Sequence, residues 1–527
     1  MQAVRNAYAR AKRAPSTVLS AVVALAAGVY VIGYPLTRAD YPPMTDLPFH
    51  AAHVSILRHF FDADWHFREQ FSFHPLEVPY VTMYGIGWLL ALILPLGWAV
   101  KAMAFVMLAL LPIGLAVLFW GMHKSAAWGV IGLGLVWSTL SHWGFLSFVG
   151  AVGLQAMSVG LTLRVVERPS RALQLALCSC LLGTLFTHVS RFPFAVAGVL
   201  VAAAAVYPMT RTLRPLLAPL APPFVAFAVW LAVRPPELRV PILPGLPKFN
   251  RLAEFGSAVI GGFHGHVGDA ERRIAISMLA ILVAIGVAAS LTRIIWRSGS
   301  ASDKFSFAAR GACVILALGH VLAFLTLPEH AGKWWYIYPR EALPAVLFAI
   351  PALPDFPTHQ VRWAHARAAA ITLIAFAAAR MGHLVAAEYA AFQAQTADFR
   401  AIIAHIPRAP KLFYLIFDRG NGEQNQSPYI HLPAWVQAEK GGWLHFHFAG
   451  WGIFPLRYRL GGAIPPMFKQ RSEWMPQDFR VEDVKFFDTF LVRHHRADPG
   501  VLFARDPTIQ SVARAGDWFL YQRRPRR

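Results

Sequence analysis

The chain has 527 residues, 56% of them hydrophobic and only 15% charged, against about 25% charged in ordinary soluble domains. Its apolar residues fall in runs of roughly 18 or more, each long enough to cross a hydrocarbon layer about 30 Å thick. A soluble globular protein is thereby excluded, and a polytopic α-helical membrane protein with the lipid bilayer as its first partner is expected.

The formal charge of +21 does not point to nucleic acid. Lys and Arg are scattered over short connections and a tail, where the positive-inside bias and anionic headgroups account for them, and no basic stripe with interleaved aromatics occurs. Cys178, Cys180 and Cys313 all lie in apolar runs, so no disulfide framework, CxxC zinc site or haem attachment is expected.

In chain order, the first run, Thr17 to Thr37, follows Arg5, Arg10, Lys12 and Arg13. It is long for a signal segment and lacks a small-x-small exit, so it reads as a retained helix with a cytoplasmic N-terminus. An outer loop over 38–100 comes next. Within it, Val78 to Trp98 is apolar but interrupted by Gly85, Gly87, Pro95 and Gly97. A full span there would put Lys124 and "RVVERPSR" outside, so an interfacial or re-entrant element is expected.

Further spans are predicted at 102–122, 126–140, 149–165, 173–187, 195–208, 216–233, 274–291, 312–327, 342–353 and 368–385, about eleven in all with the first. The basic connections "GMHKSAA", "RVVERPSR", "MTRTLR", "LTRIIWRSGSASDK" and "VRWAHAR" then fall inside. Residues 1–385 form the transmembrane domain, and 386–527 a small extracytoplasmic α/β domain. In that domain "KLFYLIF", "DTFLVRHH" and "DWFLYQRR" read as strands bounded by turn residues. The chain has no nucleotide-binding glycine fingerprint or P-loop, and neither a nucleotide nor a haem is expected.

The outer loops carry the candidate chemistry. In "YPPMTDLPFHAAHVSILRHF", Asp46, His50 and His53 stand at i, i+4 and i+7 and share one face of a helix. Asp46 there is a helix N-cap with Pro48 in the first turn, a carboxylate turned toward a substrate, or, with His50 and His53, a ligand for a divalent metal. Manganese, magnesium and zinc all remain open for such a site. Glu77 closes the same loop.

Lys101, at the head of a span, either snorkels to the interface or meets a lipid phosphate. His188 and Arg191 in "THVSRFPF" lie at a span mouth, where Arg191 either anchors headgroups or grips a phosphate. "EHAGKWWYIYPRE" gathers Lys333, Tyr336, Arg340 and Glu341 with further aromatics, which suits an interfacial belt or a sugar-phosphate pocket. The pairs "FHGHVGD", "LHFHF" and "RHHRAD" read as structural histidines before ligands; His445 and His447 alternate on one face of a possible strand. No G-x-S-x-G elbow or H-E-x-x-H signature is present.

"YPPMTDLPFHAAH" after the first span, "GFLSFVGAVGLQAMSVGLTLRVVERPSR" with "LLGTLFTHVSRF", and "LPEHAGKWWYIYPREALPAVL" together resemble the GT-C superfamily of integral-membrane glycosyltransferases. Oligosaccharyltransferases, protein O-mannosyltransferases and lipid A aminoarabinose transferases are among its members. The tail's "FFDTFLVRHH" and "AGDWFLYQRRPRR" are similar to the outer domains of bacterial members.

The resemblance implies an enzyme of the bacterial inner membrane that transfers a sugar from a polyprenyl-phosphate donor to an extracytoplasmic glycan, lipid or protein acceptor. It also implies that Asp46 serves as base or metal ligand, while the residues themselves, apart from the resemblance, offer His50, His53, Glu77, Lys101, His188, Arg191, Lys333, Tyr336, Arg340 and Glu341 as substrate contacts. Unlike many members, the chain has Leu47 beside its acid, and no acid in "SHWGFLSF". An O-antigen polymerase or ligase acting through its outer arginines is the alternative enzyme, and a lipid or oligosaccharide flippase the alternative without chemistry.

Overall fold

The computed structural model describes residues 15–295, 301–356 and 361–524, apart from 460, 463–464, 466–470 and 496. Arg5, Arg10, Lys12 and Arg13, on which the cytoplasmic N-terminus was argued, lie outside the described residues, as do parts of two expected inner connections (296–300 and 357–360).

Among the described residues, eight helices are long and apolar enough to cross a membrane. The first is α1, Pro15–Gly28, which continues through a π turn, Val29–Gly33, into Tyr34–Thr37. The first loop then forms α2 (Leu47–Arg58), β1 (Phe71–Phe73) and α3 (Thr82–Ala91). At 10 residues, α3 rises only about 15 Å, short of the hydrocarbon thickness of about 30 Å.

The membrane part continues with α4 (Leu96–Gly121), α5 (Leu146–Glu167), α6 (Arg171–Thr187), α7 (Arg191–Thr210), α8 (Leu217–Val233), α9 (Gly265–Ile295), α10 (Ala301–Thr326), α11 (Ala342–Ala349) and α12 (Val361–Gln395). Three expected spans are built from shorter elements. α6 has 17 residues, α11 has eight and ends in a 3₁₀ turn, and 126–140 is not an α-helix.

That last segment is a 3₁₀ helix, Ala126–Leu135, and glycine explains it. In a 3₁₀ helix residues i and i+3 eclipse, so Gly129 and Gly132 form one bare edge against α4. A Cβ on Gly129 would lie 2.6 Å from the Pro112 carbonyl, and one on Gly132 2.8 Å from Pro112 Cα. The rise of about 2.0 Å per residue also makes ten residues cover roughly 20 Å. This returns the chain along α4, so that α5 packs parallel to α4 with Gly114 against Gly153 and Gly121 against Gly160. Small residues at such crossings let two backbones touch.

Beyond α12 the chain forms β2 (Lys411–Ile416), α13 (Ala434–Lys440), β3 (Trp443–Leu444), β4 (Leu456–Tyr458), β5 (Thr489–Arg493), β6 (Ile509–Ala515) and β7 (Trp518–Arg523). One sheet has the order β3-β2-β5-β7-β6, parallel where β2 meets β3 and β5 and antiparallel elsewhere. The three predicted strands are present; β6, polar on its exposed face, was not foreseen.

The pleat divides β2. Phe413 and Leu415 face a local core with Phe487, Phe490 and Phe519, while Leu412, Tyr414 and Ile416 join the main core shared with the helices. β4 pairs antiparallel with β1 of the first outer loop, and Tyr41 donates to Glu439 Oε1 at 2.9 Å. The C-terminal sheet region is thus tied to the loop that carries Asp46.

Candidate active site

Asp46 precedes α2 but does not cap it with its side chain. Its backbone does that work instead, since the Asp46 carbonyl accepts from the His50 N–H at 3.1 Å. The loop "SHWG" holds the approach. Thr45 and Asp46 N–H groups donate to the carbonyls of His142 and Trp143, both at 3.0 Å.

Gly144, at φ +88°, lies so close that a Cβ there would be 2.9 Å from the Asp46 nitrogen. A left-handed backbone and this contact both require glycine. Gly144→Ala is therefore expected to destabilise the protein by about 1–3 kcal/mol and to shift Asp46. The check is thermal unfolding in detergent beside the transfer assay given below; a variant unchanged in both would show that Gly144 is not needed.

With the backbone capping the helix, the Asp46 carboxylate, 15% exposed, is free to sit 3.2 Å from Nδ1 of His431. On its other side His431 Nε2 lies 3.4 Å from Oε1 of Glu473, a wholly buried carboxylate that also accepts from the Tyr414 hydroxyl at 2.5 Å. Burial would push His431 down, but Glu473 and Asp46 outweigh it and hold the imidazole up at about 10. An imidazolium therefore bridges two carboxylates at neutral pH.

This gives a signed expectation. A histidine raised by folding stabilises fully below its unfolded value of about 6.5, and the contribution fades as pH rises and is gone above about 10. Thermal unfolding from pH 6 to 10 should fall more steeply for the native chain than for His431→Gln; equal slopes would contradict the bridge.

The proposed metal set is not assembled. Both ring nitrogens of His50 are engaged at 3.0 Å, Nδ1 with the Tyr84 hydroxyl and Nε2 with the Gly144 carbonyl. Nδ1 of His53 turns back to the Phe49 carbonyl at 2.8 Å, and its ring stacks on Tyr84. Burial first, against the neighbouring backbone hydrogen bond, holds His53 down at about 3. Sharing a helix face did not make these side chains converge, because each found a partner across the packing interface. Among the described residues no group of three His, Cys, Asp or Glu side chains can hold a metal ion.

His445 and His447 are structural as well. β3 stops at Leu444, the Tyr414 N–H donates to His445 Nδ1 at 3.3 Å, and the Ala449 N–H donates to His447 Nδ1 at 3.0 Å.

Arg340 faces the same region. Its guanidinium lies 4.2 Å from the Phe145 ring centroid and 5.6 Å from that of Phe148, and it donates to the Trp335 carbonyl at 2.9 Å. Burial lowers it to about 10 against the pull of Tyr80 and Asp46, so it stays charged. An aromatic collar surrounds it. Tyr336, at φ +59°, contacts Phe145 and Trp335, while Trp335 meets Trp143 edge-on at 4.9 Å.

Phe148 links this collar to two other predicted residues, with its ring 5.3 Å from His188 and 5.1 Å from the Arg191 guanidinium. His188 is driven well down by burial and then by Arg340 and Arg191, and its Nδ1 pairs with Ser190 at 2.9 Å. Arg191 is wholly buried and donates to Glu341 Oε1 at 2.6 Å. Oε2 of Glu341 takes His320 Nδ1 at 2.8 Å.

The other predicted residues have separate surroundings. Glu77 pairs with Arg457 at 2.8 Å and His74 at 3.1 Å, holding the first loop to β4. Lys101 lies over Trp98 at 4.9 Å. Lys333 is exposed. His431, Glu473, Tyr84 and Gly144 were not foreseen. Gly144 lay inside "SHWGFLSF", where only an acid was sought; His431 and Glu473 carry no local signal.

No family profile matches the sequence, and neither does any curated protein. Among solved structures, the chain is similar to the crystal structure of ArnT from Cupriavidus metallidurans bound to undecaprenyl phosphate. The TM-score is 0.51 at 12% identity, over 96% of this chain and 97% of that one. The chain has the fold of that protein. Because the match spans both chains nearly end to end, the likeness of fold takes in the C-terminal sheet region as well as the helices.

Proposed function

We propose that this protein is a multi-pass glycosyltransferase of the bacterial inner membrane. It transfers a sugar from a polyprenyl-phosphate donor to an extracytoplasmic acceptor, with Asp46 as general base. The observation that carries this reading is a partly exposed carboxylate released from capping duty and within electrostatic reach of Arg340 in its aromatic collar, in a chain with the fold of the ArnT structure.

The reaction balances as follows. An acceptor hydroxyl attacks the anomeric carbon, the carbon–oxygen bond to phosphate breaks, and the polyprenyl phosphate leaves with the bonding pair. Asp46 takes the hydroxyl proton, and Arg340 stabilises the charge that develops on the phosphate. Trp335 and Tyr336 offer faces for the sugar ring. No metal step is derived, since the donor set does not fit one.

The test is release of polyprenyl phosphate and labelled product from a radiolabelled undecaprenyl-phosphate hexose, with bacterial lipids as acceptors, in proteoliposomes. Asp46→Asn should abolish it; counterflow of the labelled lipid without covalent product would favour a flippase.

A further inference from the structure

The C-terminal region contributes more than a cover to the first outer loop. His431 lies between β2 and α13, and Glu473 in the helical turn Arg471–Trp474, both far along the chain from Asp46. We propose that His431, held by Glu473, is a positioning residue that fixes and charge-balances Asp46 for proton transfer. This rests on the reading of Asp46 as base.

The ring of His431 has little freedom. Phe49 meets it edge-on at 4.8 Å and Phe448 at 5.4 Å, while Phe446 stacks at 6.2 Å. Rotation would break the contacts of both nitrogens, 3.2 Å to Asp46 Oδ1 and 3.4 Å to Glu473 Oε1. Among the described side chains His431 alone is ion-paired with the Asp46 carboxylate, through Oδ1, which leaves Oδ2 for an acceptor hydroxyl. The remaining charged or titratable groups that act here are His50, next to His431, Tyr84 and Arg340, which feel Asp46, and Tyr414 on Glu473.

Charge counting explains the second carboxylate. Before transfer, Asp46, His431 and Glu473 carry minus, plus and minus. After Asp46 takes a proton the His431–Glu473 pair is left, and the cluster is neutral. Without Glu473 the same step would end with an uncompensated buried cation facing Arg340, which a low-dielectric site disfavours. A wholly buried carboxylate such as Glu473 likewise needs its cation in place.

The experiment follows polyprenyl phosphate release from the same undecaprenyl-phosphate hexose against pH. It compares the native chain, His431→Gln, Glu473→Gln, Asp46→Asn and Asp46→Asn/His431→Gln, with thermal unfolding of each. His431→Gln should lower kcat about tenfold or more with the donor KM little changed. Loss of the adjacent cation should move the acid side of the pH–rate profile up by about one unit.

His431→Ala should regain part of its rate with added imidazole, and the double variant should be no slower than Asp46→Asn alone. A native rate and profile in His431→Gln, or losses that multiply in the double variant, would overturn the proposal while leaving Asp46 as base. Full activity in Asp46→Asn would overturn that base itself. If His431→Gln does not fold, Glu473→Gln decides, with an unchanged profile counting against the bridge.

Discussion

Asp46→Asn is expected to lower sugar transfer by about 10²–10⁴-fold, the range general-base catalysis supplies, with little change in stability. Stability should hold because the contacts that fix this residue are made by its backbone. Its N–H reaches the Trp143 carbonyl, its carbonyl takes the His50 N–H, and the side chain caps nothing. The amide is isosteric and can still meet His431, which keeps Glu473 as its counter-ion. Only the ability to accept a proton is removed. The assay is initial rate in proteoliposomes beside size-exclusion and melting profiles in detergent. An asparagine variant that melts normally and transfers at the native rate would end the assignment of Asp46.

The second large effect is on stability. Arg191 is fully buried and Glu341 nearly so, and they meet at 2.6 Å. Removing one partner of such a pair strands the other and costs about 3–5 kcal/mol. Glu341→Ala should therefore lower the melting temperature sharply, more than Glu341→Gln, because Arg191 Nε and Nη2 already have no hydrogen-bond partner among the described residues and His320 would also lose its acceptor. Replacing both, as Arg191→Met with Glu341→Leu, should recover much of the loss. A Glu341→Ala protein as stable as the native chain would show that the two charges are solvated after all.

This pair also revises a sequence expectation. Arg191 and Glu341 were both read as substrate contacts, and chemically they remain suited to it. The structure instead turns them on each other, Arg191 at the start of α7 and Glu341 in the turn before α11, with His320 of α10 completing the set. Sequence gives residue type and depth but not the partner, and a buried ion pair looks like two phosphate-site residues until the helices are packed.

The membrane helices themselves were legible because a run of apolar residues about 18 long has few alternatives. The stretch Ala126–Leu135 was not, since "AAWGVIGLGL" has the same composition as a spanning α-helix, and its 3₁₀ form depends on two glycines meeting Pro112 of a neighbour. Asp46 stood out in the sequence by its position after the first span. Its surroundings did not, because His431 and Glu473 come from the tail, where "SPYIHLPAW" and "SEW" hold no spacing that points back to residue 46. The helical face shared by Asp46, His50 and His53 was real, but tertiary partners at Tyr84 and Gly144 claimed the His50 imidazole, and the Phe49 carbonyl of the same helix claimed His53 Nδ1.

The β1–β4 ladder joins residues 71–73 to 456–458, and this has a consequence for biosynthesis. A ribosome makes the first loop long before it has made the strand that pairs with it. Until then β1 is an open edge, and Asp46 stands without the imidazole that balances it. Every nascent chain thus passes through a stage in which its first helices are made but the contacts of β1 and Asp46 with the C-terminal region are not.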